Sequence, residues 1–406
     1  MKRSLSVLAS RIRPGVFAEL EGAIARRRAQ GGTIVPLHIG DTHRLPPDAA
    51  RFERILGASG DPAVYAYGAT FGLPELRAAL AARAVQMGRA PEGTDGTRNV
   101  LLGAGATHAL SCAARAVLEP GDEVLLASPY WPLAHGILTG AGAVVREVPL
   151  SSRLYDDGGL DAGEILRAAA TPQTKALYVI TPNNPDGKVL SRRDLESIAR
   201  FAVERDLWVL SDEVYADYTY ELDHVSLAML PGMAERTLAA YSFSKSHALA
   251  GARVGYVLAP EAVVSLARRV SIHTVFNVPV ASQRVALEAL GDAAWVGTAR
   301  SDYRAARDVT ARAFEGTGAR FALPEGGVYF FPDFAPVLGG RPLRVLLERA
   351  IERGVLLAPG EAFGAAFPTH ARLCFTSAPL PQVLEGIDAL KRAIDDLGAV
   401  DDEPVP

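Results

Sequence analysis

Seven apolar runs between residues 99 and 258 restrict the fold of this chain more than any other feature: Asn99–Leu102, Glu123–Ala127, Val144–Val148, Ala176–Ile180, Trp208–Leu210, Leu238–Tyr241 and Gly255–Leu258. Each is short and near-continuously apolar, and helical segments alternate with them. Strands of that kind need cover on both faces, which predicts an α/β fold with a mostly parallel sheet flanked by helices. A long helical region follows at about 280–315, then shorter strands at Gly327–Phe331, Val355–Ala358 and Arg372–Phe375, with Gly326-Gly327 marking a tight approach. The expected organisation is a large unit at 46–290 and a smaller α+β unit at 291–406. Residues 1–45 form an N-terminal segment packing with the smaller unit. A helix is expected at Gly15–Gln30, another from Pro74, and no order in the tail Asp401–Pro406.

In such a sheet, ligands bind beyond the carboxyl ends of the strands. The run ending at Tyr241 leads into Ser242-Phe243-Ser244-Lys245, and Arg253 follows eight residues later. A lysine in a loop at the end of a buried strand is placed to be a desolvated amine with a lowered pKa, the form that condenses with an aldehyde. Two hydroxyls before it and an arginine after it suit a phosphate. An aldehyde and a phosphate on one small molecule point to pyridoxal 5′-phosphate. Lysine is scarce: the other four, Lys2, Lys175, Lys188 and Lys391, fall at the terminus, before a strand, after a turn and in a polar helix.

Asp212 ends the apolar run Leu207–Leu210, within Ser211-Asp212-Glu213-Val214-Tyr215. A buried carboxylate there needs a cationic partner. A protonated pyridine nitrogen is one, and the ring would then act as an electron sink. Strand alternation would place Val214 on the same face, against the ring. Tyr215 could offer its hydroxyl to the phenolate oxygen beside Asn184, although Asn184-Pro185-Asp186-Gly187 also makes a turn by itself. Trp131, between Pro129 and Pro132, could stack on a flat ring or simply fill core. Gly105, Ala106 and Thr107 open a helix where small residues let backbone N–H groups reach a phosphate.

In order, G-A-T (105–107), P-Y-W (129–131), N-N-P-x-G (183–187), S-D-E-V-Y (211–215), S-F-S-K (242–245) and G-x-R-x-G-Y (251–256) resemble fold-type I pyridoxal-phosphate enzymes, and among them the class I/II aminotransferases, from about Gly40 to Arg372. The resemblance implies that Lys245 holds the cofactor as a Schiff base and moves the α-proton. Asp212 would pair with the ring nitrogen, Asn184 and Tyr215 with the phenolate, and Trp131 would stack on the ring. Ser242, Ser244, Arg253 and the Gly105–Thr107 turn would hold the phosphate. Tyr67 would reach the phosphate of a neighbouring subunit, which makes a homodimer with shared sites. Arg372 would bind the substrate α-carboxylate, with Asn184 and the Gly40 backbone beside it. The implied reaction moves an amino group between an L-amino acid and a 2-oxo acid in two half-reactions.

Four positions depart from the family's usual text: Asp186, where threonine is familiar; Ala252, where tryptophan is frequent; the loop Gly40-Asp41-Thr42-His43-Arg44; and Thr107, where some aspartate-specific relatives carry lysine. His43 and Arg44 face either the substrate side chain or solvent. The same fold and cofactor also serve lyases, cyclases, decarboxylases and oxidases, so the fate of the bonds at Cα stays open. A transcriptional regulator would need a DNA-binding domain ahead of Gly40, where no recognition-helix pattern occurs. With 49% hydrophobic and 22% charged residues and a net charge of −4, nothing suggests nucleic acid as a partner. No apolar run approaches a membrane span, and Ser4–Ser10 is too short and polar for a signal-peptide core. Cys112 and Cys374, both in apolar surroundings, fit a reduced cytoplasmic protein with no cysteine metal site.

Overall fold

The computed structural model describes residues 5–13, 20–58 and 61–399. The seven apolar runs are strands: β1 (Val100–Ala104), β2 (Glu123–Ser128), β3 (Val144–Pro149), β4 (Thr174–Ile180), β5 (Trp208–Asp212), β6 (Thr237–Ser242) and β7 (Val254–Leu258). They form one sheet in the order β1-β7-β6-β5-β4-β2-β3. β2 pairs in parallel with β3 and β4, β4 with β5, and β5 with β6, whereas β7 runs antiparallel to both β1 and β6. β4 shows why these strands read as unbroken apolar runs. Its Ala176, Tyr178 and Ile180 face a core shared with the helix Ala106–Val117. Leu177 and Val179 face another, built on the helices Ala162–Ala169 and Arg192–Glu204. Each large side chain buried this way contributes about 1.5–3 kcal/mol. Helix starts follow local signals: Pro74 opens Pro74–Gln86, and Ser191 caps Arg192–Glu204 in a capping box with Asp194.

A second sheet has the order β8-β10-β9, with β8 (Tyr329–Phe330), β9 (Ala358–Pro359) and β10 (Ala371–Cys374), all antiparallel. β8 and β9 are shorter than expected from sequence. Val355 is drawn instead into a parallel bridge with Val35, and the Cys374 amide donates to the Leu37 carbonyl at 2.7 Å. The segment around residues 35–41 therefore lies against this smaller sheet. The long helical region is two helices, Val280–Leu290 and Ala293–Phe314, broken at Gly291 and restarted by Asp292, whose side chain caps Trp295. Of the helix expected at 15–30, Glu21–Ala29 is observed; its first residues and the tail 401–406 lie outside the described residues. Cys112 and Cys374 are buried free thiols. Among the described residues, no helix is long and apolar enough to cross a membrane, and no group of His, Cys, Asp and Glu could hold a metal ion.

Candidate active site

Six strands direct their carboxyl ends to one edge of the large sheet, and the antiparallel β7 begins there. Residues following β1, β2, β4 and β6, the end of β5 and the residue before β7 surround a cavity of about 270 Å³, near the lower end for small-molecule sites. Asp212 is the last residue of β5. Ser242 is the last of β6, and its hydroxyl accepts from the Ser244 amide at 3.3 Å, capping a one-turn helix, Phe243–Ser246, that carries Lys245. The lysine therefore stands on a helix, not in the expected loop, because the serine cap satisfies a helix start directly after the strand.

Gly105, at φ 78°, turns β1 into the helix Ala106–Val117, and a Cβ there would lie 2.5 Å from Arg253 Nη2. Arg253 adopts a left-handed backbone, φ 52°, and its Nη1 donates to Ser244 Oγ at 3.4 Å and the Ala250 carbonyl at 3.0 Å. Such a conformation costs a non-glycine residue about 1–2 kcal/mol. Ser242, Ser244, Arg253 and the start of that helix, Ala106 and Thr107, thus crowd one end of the cavity.

Arg372 on β10 enters from the smaller sheet. Its Nη1 donates to Asn184 Oδ1 at 3.0 Å and its Nη2 to the His38 carbonyl at 2.6 Å. The guanidinium lies 4.4 Å from the ring centre of Tyr329 and 4.8 Å from that of Phe363. Its Nε has no hydrogen-bond partner. This is a flat cation packed against two rings, with its Nε–H left without a partner.

Asp212 is 3% exposed and accepts from Tyr178 Oη at 2.9 Å and from the Val214 amide at 3.3 Å. Burial pushes its carboxyl up to about 6, opposed by those two hydrogen bonds. The Lys245 amine donates to the Gly40 carbonyl and lies 6.0 Å from the Tyr215 ring centre; burial lowers its pKa. Tyr215 and Tyr329 share a hydrogen bond of 2.6 Å between hydroxyls, and burial keeps the Tyr215 phenol well above its ordinary value.

The cavity brings together Gly40, Ala106, Thr107, Trp131, Asn184, Asp212, Tyr215, Ser242, Ser244, Lys245, Arg253 and Arg372 from the sequence expectation. Val214 lines it too, but from the turn after β5, because the strand ends at Asp212 and its alternation goes no further. Tyr67 is absent from it: the ring is 87% exposed and packs edge-on against Phe276 at 5.1 Å. Gly40 offers its carbonyl to Lys245, and a Cβ there would collide with the Tyr329 hydroxyl. Arg44 does not line the cavity and is half-buried. It pairs with Asp302 and lies 5.6 Å from the Trp295 ring centre, while His43 Nδ1 contacts the Thr376 carbonyl at 3.1 Å. Asp186 is buried outside the cavity, accepting from Ser151, Asn183 and the Lys188 amide. Sequence reasoning missed Tyr178 and Tyr329. A tyrosine inside a fully buried run was the available signal for the first, since a buried hydroxyl needs a partner.

Fold and site together define a fold-type I α/β enzyme organised around one lysine, Lys245. The chain belongs to the aminotransferase class I and II family, whose model matches residues 33–390. It is 34% identical over 387 residues to an aspartate/prephenate aminotransferase of Thermus thermophilus, covering 93% of this chain and 95% of the relative. It is 33% identical over 353 residues to an arginine–pyruvate transaminase of Pseudomonas aeruginosa, covering 86% of each. The solved Thermus thermophilus aspartate aminotransferase with maleate superposes with a TM-score of 0.86 at 31% identity, over 97% of this chain and all of that one. This chain is an aminotransferase.

Proposed function

We propose that the chain uses pyridoxal 5′-phosphate to move an amino group between an L-amino acid and a 2-oxo acid. The observation that carries this reading is the convergence of Lys245, Asp212 and Arg372, from three distant parts of the chain, on one cavity. The residues fit the cofactor. A buried carboxylate without a cationic partner, a lysine with lowered pKa and an arginine with a spare donor are each incomplete until such molecules occupy the space.

Bound there, pyridoxal phosphate would supply an aldehyde and a ring that takes up the electron pair left at Cα. The protein's own part follows from its geometry. Ser242, Ser244, Arg253 and the amides opening the helix Ala106–Val117 would hold the phosphate, and Asp212 would face the ring nitrogen. Asn184 and Tyr215 would bind the phenolic oxygen, and Trp131 would cover one face. Arg372, positioned by Tyr329 and Phe363, would bind the α-carboxylate beside Asn184 and so aim the α-hydrogen. Lys245, uncharged more readily than an exposed lysine, would take that proton and return it on the other side of the transfer. Among the described residues, the cations lining the cavity are Lys245, Arg253 and Arg372, and all three have these tasks. The relatives' names favour transamination over the lyase, cyclase, decarboxylase and oxidase alternatives.

The same reading makes the enzyme a cytoplasmic homodimer in which exposed Tyr67 meets the phosphate end of a second copy's cavity. It also divides the chain at 46–290 and 291–406; the Val35–Val355 bridge supports placing the segment around Val35 beside the smaller unit, whereas Arg13 bonds Tyr130 and Glu147 of the larger one. The test is the visible spectrum of purified protein with added cofactor and a panel of amino acids. Conversion of the cofactor band to that of pyridoxamine phosphate, matched by formation of the 2-oxo acid, is expected with some donors. No cofactor band, or amino acid consumed without pyridoxamine phosphate, would refute the reading.

A further inference from the structure

Asp212 sits where its own sheet offers little polar company. Its register neighbours are Ile180 on β4 and Ala240 on β6, and Leu110 also lines the cavity. One hydroxyl reaches it. Tyr178, two residues before Ile180 on the same face of β4, is fully buried and donates to Asp212 Oδ2 at 2.9 Å. Strand side chains lean along the strand, so a ring placed one pair back can deliver its hydroxyl to the carboxylate at the strand end. The other bond, from the Val214 amide to Oδ1, is longer at 3.3 Å.

The charged groups that act on Asp212 are Glu213 and Lys245. Glu213 is engaged elsewhere, by His224, Tyr241, Ser211 and Ser226, and opposes ionisation of its neighbour. Lys245 favours ionisation but donates to Gly40. Tyr178 itself stays protonated, since burial and Asp212 hold its phenol well above the ordinary value. It is therefore a donor at every working pH.

We propose that Tyr178 is a positioning residue that keeps Asp212 ionised and aimed into the cavity, ready for a cationic ring nitrogen. The proposal rests on the assignment of Asp212 as the partner of that nitrogen. Its test is a pH titration of the protonated Asp212 carboxyl by infrared difference spectroscopy. The full chain is measured before cofactor is added, and the band is isolated by subtracting the Asp212→Asn spectrum.

Wild type should titrate at about 6. Tyr178→Phe should titrate about one to two pH units higher, the worth of one hydrogen bond to an ionised group. Its affinity for pyridoxal phosphate should fall off at correspondingly higher pH. A Tyr178→Phe midpoint equal to or below that of wild type overturns the proposal. Should Tyr178→Phe fail to fold, ring-fluorinated tyrosine incorporated throughout the chain supplies a stronger donor and should lower the midpoint; an unmoved midpoint again overturns it. The carboxyl titration involves no cofactor, so it fails separately from the parent reading. Unchanged cofactor affinity in Asp212→Asn would refute the ring-nitrogen assignment, and with it the role of Tyr178 toward the cofactor.

Discussion

Arg372→Ala separates substrate recognition from cofactor binding. The guanidinium spends two of its N–H groups on Asn184 and the His38 carbonyl, while Nε is free and the ring faces of Tyr329 and Phe363 fix its plane. An α-carboxylate docking on it gains charge-assisted hydrogen bonds of about 1.5–3 kcal/mol each. Two such bonds amount to about 3–6 kcal/mol, and water entering the emptied space returns part of that by hydrating Asn184. A loss of about 3 kcal/mol corresponds to roughly 10²-fold in kcat/KM for the amino acid. Arg372→Lys should recover little, because a point ammonium cannot lie flat between two rings or present a fork. The assay is single-turnover conversion of bound cofactor at varied amino acid, beside a fluorescence titration of pyridoxal phosphate. The cofactor affinity should move less than about threefold. An affinity for the cofactor that collapses while that for the amino acid holds would refute the placement of Arg372 in the carboxylate site.

Three further outcomes follow. Lys245→Ala should fold and slow conversion of bound cofactor by an amino acid about 10³-fold or more, and a rate near wild type in a rapid-mixing trace would exclude Lys245 as the proton carrier. Asp186→Ala strands the Ser151 hydroxyl and the Lys188 amide, at about 1–3 kcal/mol each, while Asn183 Nδ2 keeps the Pro129 carbonyl and Ser151 Oγ. It should lower stability in urea by about 3 kcal/mol with little change in cofactor affinity; an unchanged midpoint would count against that network.

Arg89→Met leaves Asp217 with Arg83 at 3.6 Å in place of Arg89 at 2.7 Å. Breaking a buried pair costs about 3–5 kcal/mol, an upper range here because Arg83 remains. Burial opposes ionisation of Asp217, but Arg89 outweighs it and holds the carboxyl below its ordinary value. A lowered folded-state pKa contributes stability that is present above the unfolded value of about 3.9 and lost as pH falls through the folded one. The difference between wild type and Arg89→Met in urea melts should therefore hold from pH 7 to about pH 4 and shrink below it, and a difference that stays constant as the pH falls below about 4 would contradict the pairing.

The large sheet was legible because most of its strands are buried on both faces, which leaves little room for polar positions; the edge strand β3, part-exposed and carrying Arg146 and Glu147, is the exception. Lys245, Asp212 and Arg253 were legible for the opposite reason, as charged residues at the ends of apolar strands. The lysine's helical turn was not, since four residues carry no periodicity. Arg44 was ambiguous because its partner Asp302 lies 258 residues away and only folding brings the pair together. Tyr329 hides in a two-residue strand, and its meaning depends on the Tyr215 hydroxyl and the Arg372 guanidinium that it touches. Tyr67 cannot be placed against a cavity by one chain alone.

Chain separation divides the cavity into an early part and a late one. Ser242, Ser244, Lys245 and Arg253 belong to the single stretch joining β6 to β7, and their mutual contacts form as those two strands zip together. Arg372 meets Asn184 across 188 residues and the His38 carbonyl across 334. Closing loops of that length costs entropy that the local turn does not, so these contacts come late in folding. A chain still maturing would then hold the Ser242, Ser244 and Arg253 share of the phosphate site before it can recognise a carboxylate. Cofactor captured at that stage would favour completion of the fold by mass action, so cofactor supply during synthesis would govern how much of the enzyme matures.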